Sequence, residues 1–417
     1  MKINAIKFYT TIFIIVLFLQ LYVFSFRFNI FFQLFILAGF IAIEKPKTSL
    51  LFLKTNLPLV LVFLLGFIGM FFERYHLYNI IKDIFHFIKP ILGICIGYFF
   101  YKKINNFKLF IKTIVITGFF SALLHYIIVI FFIKNIETVS NIRELGTDNF
   151  VELFALFFLV FYKKFQKENL FSSKLVHLII LCAILISCVL YFSRTMIVMS
   201  VMMLLTIYGY TIITKMTLKI TGFLLLFILF FYAFLFSANI RRNSKGFESF
   251  LYKVKNAPSE VFKTHVDREN HADLWDHWRG YEANRALALL GDNPSGYIFG
   301  CGYGSLVNLK FYAPLSKDSK GMKYISELHN GYVYVLYKTG IIGLVLYLYF
   351  LYILYIKIYF ERRFSNVFIS AIAMCFLFST LVTVGINNNN DTIIIILGAL
   401  IFFYEKNNVN RTLNNTY

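Results

Sequence analysis

HNGYVYVLYKTGIIGLVLYLYFLYILYI, residues 329–356, leaves a polar segment at His329-Asn330 and then runs through apolar and aromatic side chains to Ile356. A run of about 20 apolar residues is enough to cross the hydrocarbon core as a helix, the one open-ended element that pairs its own backbone groups there. Immediately before it lies a polar island, Asn239 to His329. Outside the island nearly everything is apolar. The chain has 417 residues, 59% of them hydrophobic and 20% aromatic, against roughly 45–50% apolar in a soluble domain.

The apolar runs are continuous rather than alternating, which excludes a transmembrane β-barrel. The expectation is an all-α polytopic membrane protein with about 12 transmembrane helices and one large, mostly helical loop. The spans fall near 8–26, 28–43, 57–72, 86–101, 109–133, 150–162, 175–192, 196–213, 219–238, 331–356, 366–384 and 392–404. Three parts follow: an N-terminal bundle over 1–238, the loop over 239–330, and C-terminal helices over 331–417. Lys2 and Lys7 precede the apolar run Phe8–Phe24, as in a signal peptide. Only Ser25-Phe26-Arg27 follows, without a small-x-small cleavage site, so the segment reads as an uncleaved first span.

The formal net charge is +20, and its placement is informative. With the N-terminus in the cytoplasm, inside segments carry twenty Lys and Arg, including Lys45, Lys47, Lys102, Lys103, Lys163 and Lys164. The short outside loops carry seven: Arg27, Arg74, Lys82, Lys89, Lys134, Arg143 and Arg194. This is the positive-inside bias, and it leaves no clustered basic face for nucleic acid. The island follows the ninth span and lies outside. Cys95, Cys182, Cys188 and Cys375 sit in apolar runs and only Cys301 in the island, so no disulfide framework or cysteine-based metal site is expected.

Several residues carry chemistry. Leu175–Ile213 is long enough for two spans, and Ser193-Arg194-Thr195 is its only hinge, which pins a guanidinium at the outer face. Such a charge either anchors the interface or clamps an anion, and a guanidinium fork suits pyrophosphate. His329 stands where the chain re-enters the membrane. It either caps the helix or, as a neutral imidazole, takes a proton from a hydroxyl. Gly340 and Gly343 share a helix face and favour close packing. Trp278–Leu290 reads as a helix with Tyr281, Ala286, Leu289 and Leu290 buried. Arg279 and Arg285 ride on it with Glu282 between them, where all three also suit a solvated face. His265, His271 and His277 are spaced six apart, not at the i, i+4 interval of a helical zinc site. Trp275 and Trp278 suit the membrane interface or a sugar ring. Asp292–Gly296 and Gly300–Gly304 are turn-rich, and Asn387–Asp391 reads as a solvated outside turn.

Taken together, these pieces resemble the bacterial O-antigen polymerase and O-antigen ligase superfamily. Ser193-Arg194-Thr195 is similar to its Ser-Arg-Thr hinge. Arg279, Ala286-Leu287 and Asp292-Asn293-Pro294 resemble its loop motif, with Ala283 where the family carries Trp. Gly300-Cys301-Gly302-Tyr303-Gly304 is similar to its glycine motif, and His329-Asn330 with Gly340 to its His motif. These motifs span Ser193 to Gly343. Gly340-Ile341-Ile342-Gly343 lacks the Thr pair of lipopolysaccharide ligases, which favours a polymerase. The resemblance implies transfer, without metal, nucleotide or other cofactor, at the periplasmic face of the bacterial inner membrane. The donor it implies is a glycan on undecaprenyl pyrophosphate. The acceptor is a sugar hydroxyl, on another lipid-linked repeat unit in a polymerase or on lipid A core in a ligase. It further implies His329 as the residue that orients or deprotonates the acceptor, Arg194 and Arg279 as pyrophosphate ligands with Arg285 as a further substrate contact, and a chain-length regulator as a possible partner. The non-enzymatic alternative is a polysaccharide-lipid transporter, for which His125 and Glu152 are the intramembrane polar candidates.

Overall fold

A computed structural model describes residues 5–414, except 24, 72, 133–148, 243–246, 293, 316–320 and 389–391. Lys2, Lys134, Arg143, Asn293 and the Asn389–Asp391 part of the proposed outside turn therefore lie outside the described residues.

Each of the twelve apolar segments forms a helix: α1 Ala5–Tyr22, α2 Phe26–Glu44, α3 Leu50–Ile68, α4 Leu77–Ile104, α5 Phe107–Phe132, α6 Phe150–Gln166, α7 Lys174–Leu190, α8 Arg194–Tyr208 and α9 Lys215–Ser237. After the island come α14 Gly331–Tyr355, α16 Phe364–Val382 and α17 Ile393–Asn414, with the short α15 Lys357–Phe360 between the first two. Among the described residues eight helices are long and apolar enough to cross a membrane, and the chain is a polytopic membrane protein. Polar side chains set the helix starts: Ser49, Ser173, Ser193 and Asn330 each accept a hydrogen bond from a first-turn N–H.

Packing inside the bundle follows membrane rules, where small residues admit close backbone approach. At the α4–α17 seam, a Cβ on Gly97 would lie 2.0 Å from the Ile395 carbonyl, and one on Gly398 2.1 Å from that of Ile94. Basic groups meet at one end of the bundle: Lys103 pairs with Glu44, Lys108 with Glu168, and Lys406 with Asn105.

The island sits at the other end. It holds α10 Phe247–Phe262, α11 His271–Asp276, α12 Trp278–Gly291, α13 Pro294–Phe299 and an antiparallel hairpin, β1 Val307–Ala313 with β2 Met322–Ile325. Tyr281, Ala286 and Leu290 are buried, while Leu289 is half-buried. Two expectations change. The turn-rich stretch after Asp292 contains α13, because Pro294 starts a helix readily at its first position. Gly340 does not pack within a regular helix: its φ of 70° and ψ of −175° break α14. A Cβ there would lie 2.1 Å from the Ile298 carbonyl, so only glycine fits both the dihedrals and the contact.

The break has a partner. The Tyr337 and Lys338 carbonyls accept from the N–H groups of Cys301 and Gly302 at 2.8 and 3.1 Å. Tyr303, fully buried, donates its N–H to the Gly66 carbonyl and its hydroxyl to that of Phe63. Gly300, Gly302 and Gly304 all take positive φ. The glycine motif is thus a plug seated between α3 and α14, supplying donors to carbonyls that a broken helix leaves over.

Candidate active site

Arg194 is the first residue of α8, capped by Ser193. A cation at a helix N-terminus opposes the macrodipole, so it needs a local anion. Glu260 of α10 supplies one: Arg194 Nη2 is 3.1 Å from Glu260 Oε2, and Nη1 donates to the Lys253 carbonyl. Arg279, in the first turn of α12, lies 2.9 Å from the other oxygen, Glu260 Oε1. One carboxylate therefore joins two guanidiniums that are 85 residues apart in sequence (279 − 194).

One turn along α12, on the face of Arg279, is Glu282. It is buried, 3% exposed, and its Oε2 lies 2.8 Å from His329 Nδ1 and accepts from the His329 backbone N–H at 3.2 Å. The His329 side chain is 51% exposed, and its Nε2 has no protein partner among the described residues. Desolvation of the ring disfavours its proton, but the hydrogen bond and charge of Glu282 outweigh this and hold the imidazole above its ordinary pKa; Arg279 opposes and Glu260 supports the rise. The helix cap is not His329 but Asn330, whose side chain accepts from Val333 N–H at 3.2 Å. Gly331 N–H donates to the Thr383 carbonyl. His329 is thereby fixed at its backbone from both sides while its ring edge stays open.

The structure brings Arg194, Arg279 and His329 together through Glu260 and Glu282. It does not bring Arg285. Six residues along a helix turn about 240° beyond Arg279, and Arg285 instead donates to the Asn308 carbonyl of β1 at 3.0 Å. It lines a separate cleft with His265, Asp267 and Tyr281. Glu282, expected on a solvated face, is buried because His329 and its backbone fold over it.

Of the His-rich stretch, His277 is held within the island while His265 and His271 are exposed. His277 Nδ1 lies 2.9 Å from the Asp273 carbonyl and Nε2 3.2 Å from Ser259 Oγ, and Lys263 pairs with Asp273. Among the described residues no three His, Cys, Asp or Glu side chains are grouped as metal ligands. Trp275 and Trp278 stack at 4.9 Å, and Trp278 is buried against Tyr281 and Phe311. Trp278 is island core rather than an interface anchor.

The cluster can hold a polyanion between two guanidiniums and present an imidazole, oriented by a carboxylate, to a hydroxyl beside it. No curated protein matches the chain. Residues 178–348 match the family described as O-antigen ligase, and Arg194, Glu260, Arg279, Glu282 and His329 all fall within that range. The reaction type of that family is transfer of a lipid-linked polysaccharide, within polysaccharide biosynthesis. The chain is therefore a polytopic membrane protein that carries, at residues 178–348, a domain of the O-antigen ligase family.

Proposed function

We propose that the chain is a polymerase of O-antigen or a related surface polysaccharide, transferring glycan from undecaprenyl pyrophosphate to a sugar hydroxyl of another lipid-linked repeat unit. The observation that carries this is the bridge Arg194–Glu260–Arg279 beside the Glu282–His329 pair. A diphosphate offers two anionic groups to the two guanidiniums that Glu260 holds in the absence of substrate. His329 Nε2 takes the proton of the acceptor hydroxyl as that oxygen attacks the anomeric carbon. The carbon–oxygen bond to pyrophosphate breaks, and Arg194 and Arg279 stabilise the negative charge left on undecaprenyl pyrophosphate. Glu282 fixes the ring and its tautomer. Arg285 has no role in this step.

The ester is already activated, so the reaction as written uses neither nucleotide nor metal, and turnover is expected to persist in a chelator. The same reading gives all twelve helices a place across a bacterial inner membrane, with the basic end cytoplasmic and the island periplasmic; the charge bias supports it. Transfer to lipid A core is the second reading, favoured by the description of the matched family. Reconstitution with lipid-linked repeat units alone separates these. Chain lengthening supports the polymerase, product formed only with added lipid A core supports the ligase, and movement of lipid without new bonds overturns both.

A further inference from the structure

A groove of about 600 Å³ opens where the α1–α2 turn meets the first turns of α4, outside the matched domain. Phe31, Ile81 and Phe85 form an apolar wall, and Arg27, Tyr78 and Lys82 form the rim. Helix α4 has 28 residues, about 42 Å of helix against a hydrocarbon core of about 30 Å. Its first two turns therefore reach the headgroup level, at the end of the bundle where the island sits. An apolar wall under a cationic rim at that depth matches a lipid with an anionic head.

The rim charge is only partly spent on the protein. Arg27 donates to Tyr78 Oη at 2.6 Å, with its guanidinium carbon 5.3 Å from the Tyr78 ring centre. It has no carboxylate partner among the described residues. Lys82 reaches Ser326 Oγ at 2.9 Å and Glu327 at 2.8 Å while a third of its side chain stays exposed. Glu327 also lies 3.0 Å from His86 Nε2. Burial would raise the Glu327 pKa, but His86 and Lys82 bring it down to about 2. Glu327 thus stays an anion facing Lys82 and His86, and Arg27 remains as unmatched positive charge. Ser326 and Glu327 lead directly to His329, so the groove borders the segment that carries the imidazole.

We propose that this groove seats the lipid of the acceptor: a polyprenyl chain along Phe31, Ile81 and Phe85, with its phosphate on Arg27 and Lys82. The identity of the lipid rests on the polymerase reading, since joining two lipid-linked units at one membrane face requires two lipid-phosphate sites. Arg194 and Arg279 form one, and the groove forms the other.

Native mass spectrometry of the detergent-solubilised full chain, titrated with undecaprenyl pyrophosphate, tests this. The wild type is expected to bind two equivalents. Arg27→Gln weakens one about tenfold and keeps the other; Arg27→Lys restores it; Phe31→Ser weakens the same one. Arg194→Ala weakens the remaining equivalent. In turnover, Arg27→Gln raises the KM for acceptor. Two equivalents bound unchanged by Arg27→Gln and Phe31→Ser would overturn the groove. So would phosphatidylglycerol filling it as tightly with the same dependence on Arg27. If Arg27→Gln loses one equivalent while Arg194→Ala loses none, the groove stands and the donor site is misplaced.

Discussion

Glu260 holds one guanidinium on each carboxylate oxygen, so its removal leaves two partly enclosed cations facing each other. Glu260→Ala is expected to destabilise the solubilised protein by about 1–2 kcal/mol, a modest figure because all three groups keep roughly a fifth of their surface in solvent. The Arg194→Ala/Glu260→Ala double variant should lose less than the sum of the singles, since the two share one interaction. Glu282 makes a different expectation. It raises the His329 pKa, so the ring stays protonated to a higher pH than a free imidazole, and a base must be neutral to act. Activity should rise with pH through that elevated value. Glu282→Gln should move the rising limb of the kcat/KM profile to lower pH while cutting its plateau, on the order of 10–100-fold, through loss of orientation. The stability that the pair contributes is complete below the unfolded imidazole value and is lost as pH rises through the folded one; thermal melts of Glu282→Gln should lack that slope. Arg194 and His329 stand out in the sequence as a lone charge between two spans and a His at a re-entry point, whereas Arg279 reads as any solvated helix residue and is singled out only by the family resemblance. Glu260 and Glu282 were not legible. Nothing local marks a carboxylate whose partner is 66 or 47 residues away, and Glu282 on an amphipathic helix looks like any solvated residue.

At the scale of elements, hydropathy located the twelve apolar helices, because continuous apolar runs have one solution in a bilayer, but not the 16-residue α10 of the polar island. The β1–β2 hairpin was missed although Val307, Leu309 and Ala313 alternate with half-buried or exposed neighbours, the period-2 signal of a strand. The glycines were legible as turns but not as a plug. That role depends on the broken ladder of α14, and Gly340 in an apolar run reads simply as a packing residue. Gly340→Ala should therefore cost several kcal/mol, from positive φ together with the Ile298 contact, and not the roughly 1 kcal/mol by which alanine ordinarily improves on glycine in a helix. The expected readout is a lower melting temperature, with new protease cuts around 298–304 as the plug loosens. A melt unchanged or raised would mean that α14 is straight.

Across the whole molecule, one buried ion pair ties the first third of the chain to the last. Lys338 Nζ lies 2.6 Å from Asp83 Oδ2, both fully buried, and the same oxygen accepts from Gly304 N–H at 2.8 Å. Lys338 also donates to the Ser305 carbonyl. Lys338→Met strands Asp83 and should destabilise by about 3–5 kcal/mol, whereas Lys338→Met with Asp83→Leu should recover part of the loss. A long apolar run hid this lysine: within residues 331–356 it is a single charge whose partner is 255 residues away. The pair anchors the plug and the start of α14, and with them His329, to the bundle that carries Arg194.

The central claim is that Arg194, Arg279 and His329 act in one site although the chain separates them. Product formation by the reconstituted protein from undecaprenyl-pyrophosphate-linked repeat units, without nucleotide, measures it directly. Arg194→Ala, Arg279→Ala and His329→Ala are each expected to cut turnover by about 100-fold or more, with membrane insertion retained and the melting temperature lowered only modestly by the lost ion pair. Combined substitutions should lose little beyond the worst single one, as expected of groups serving one step. Turnover at the wild-type level in any of the three correctly inserted variants would contradict the account.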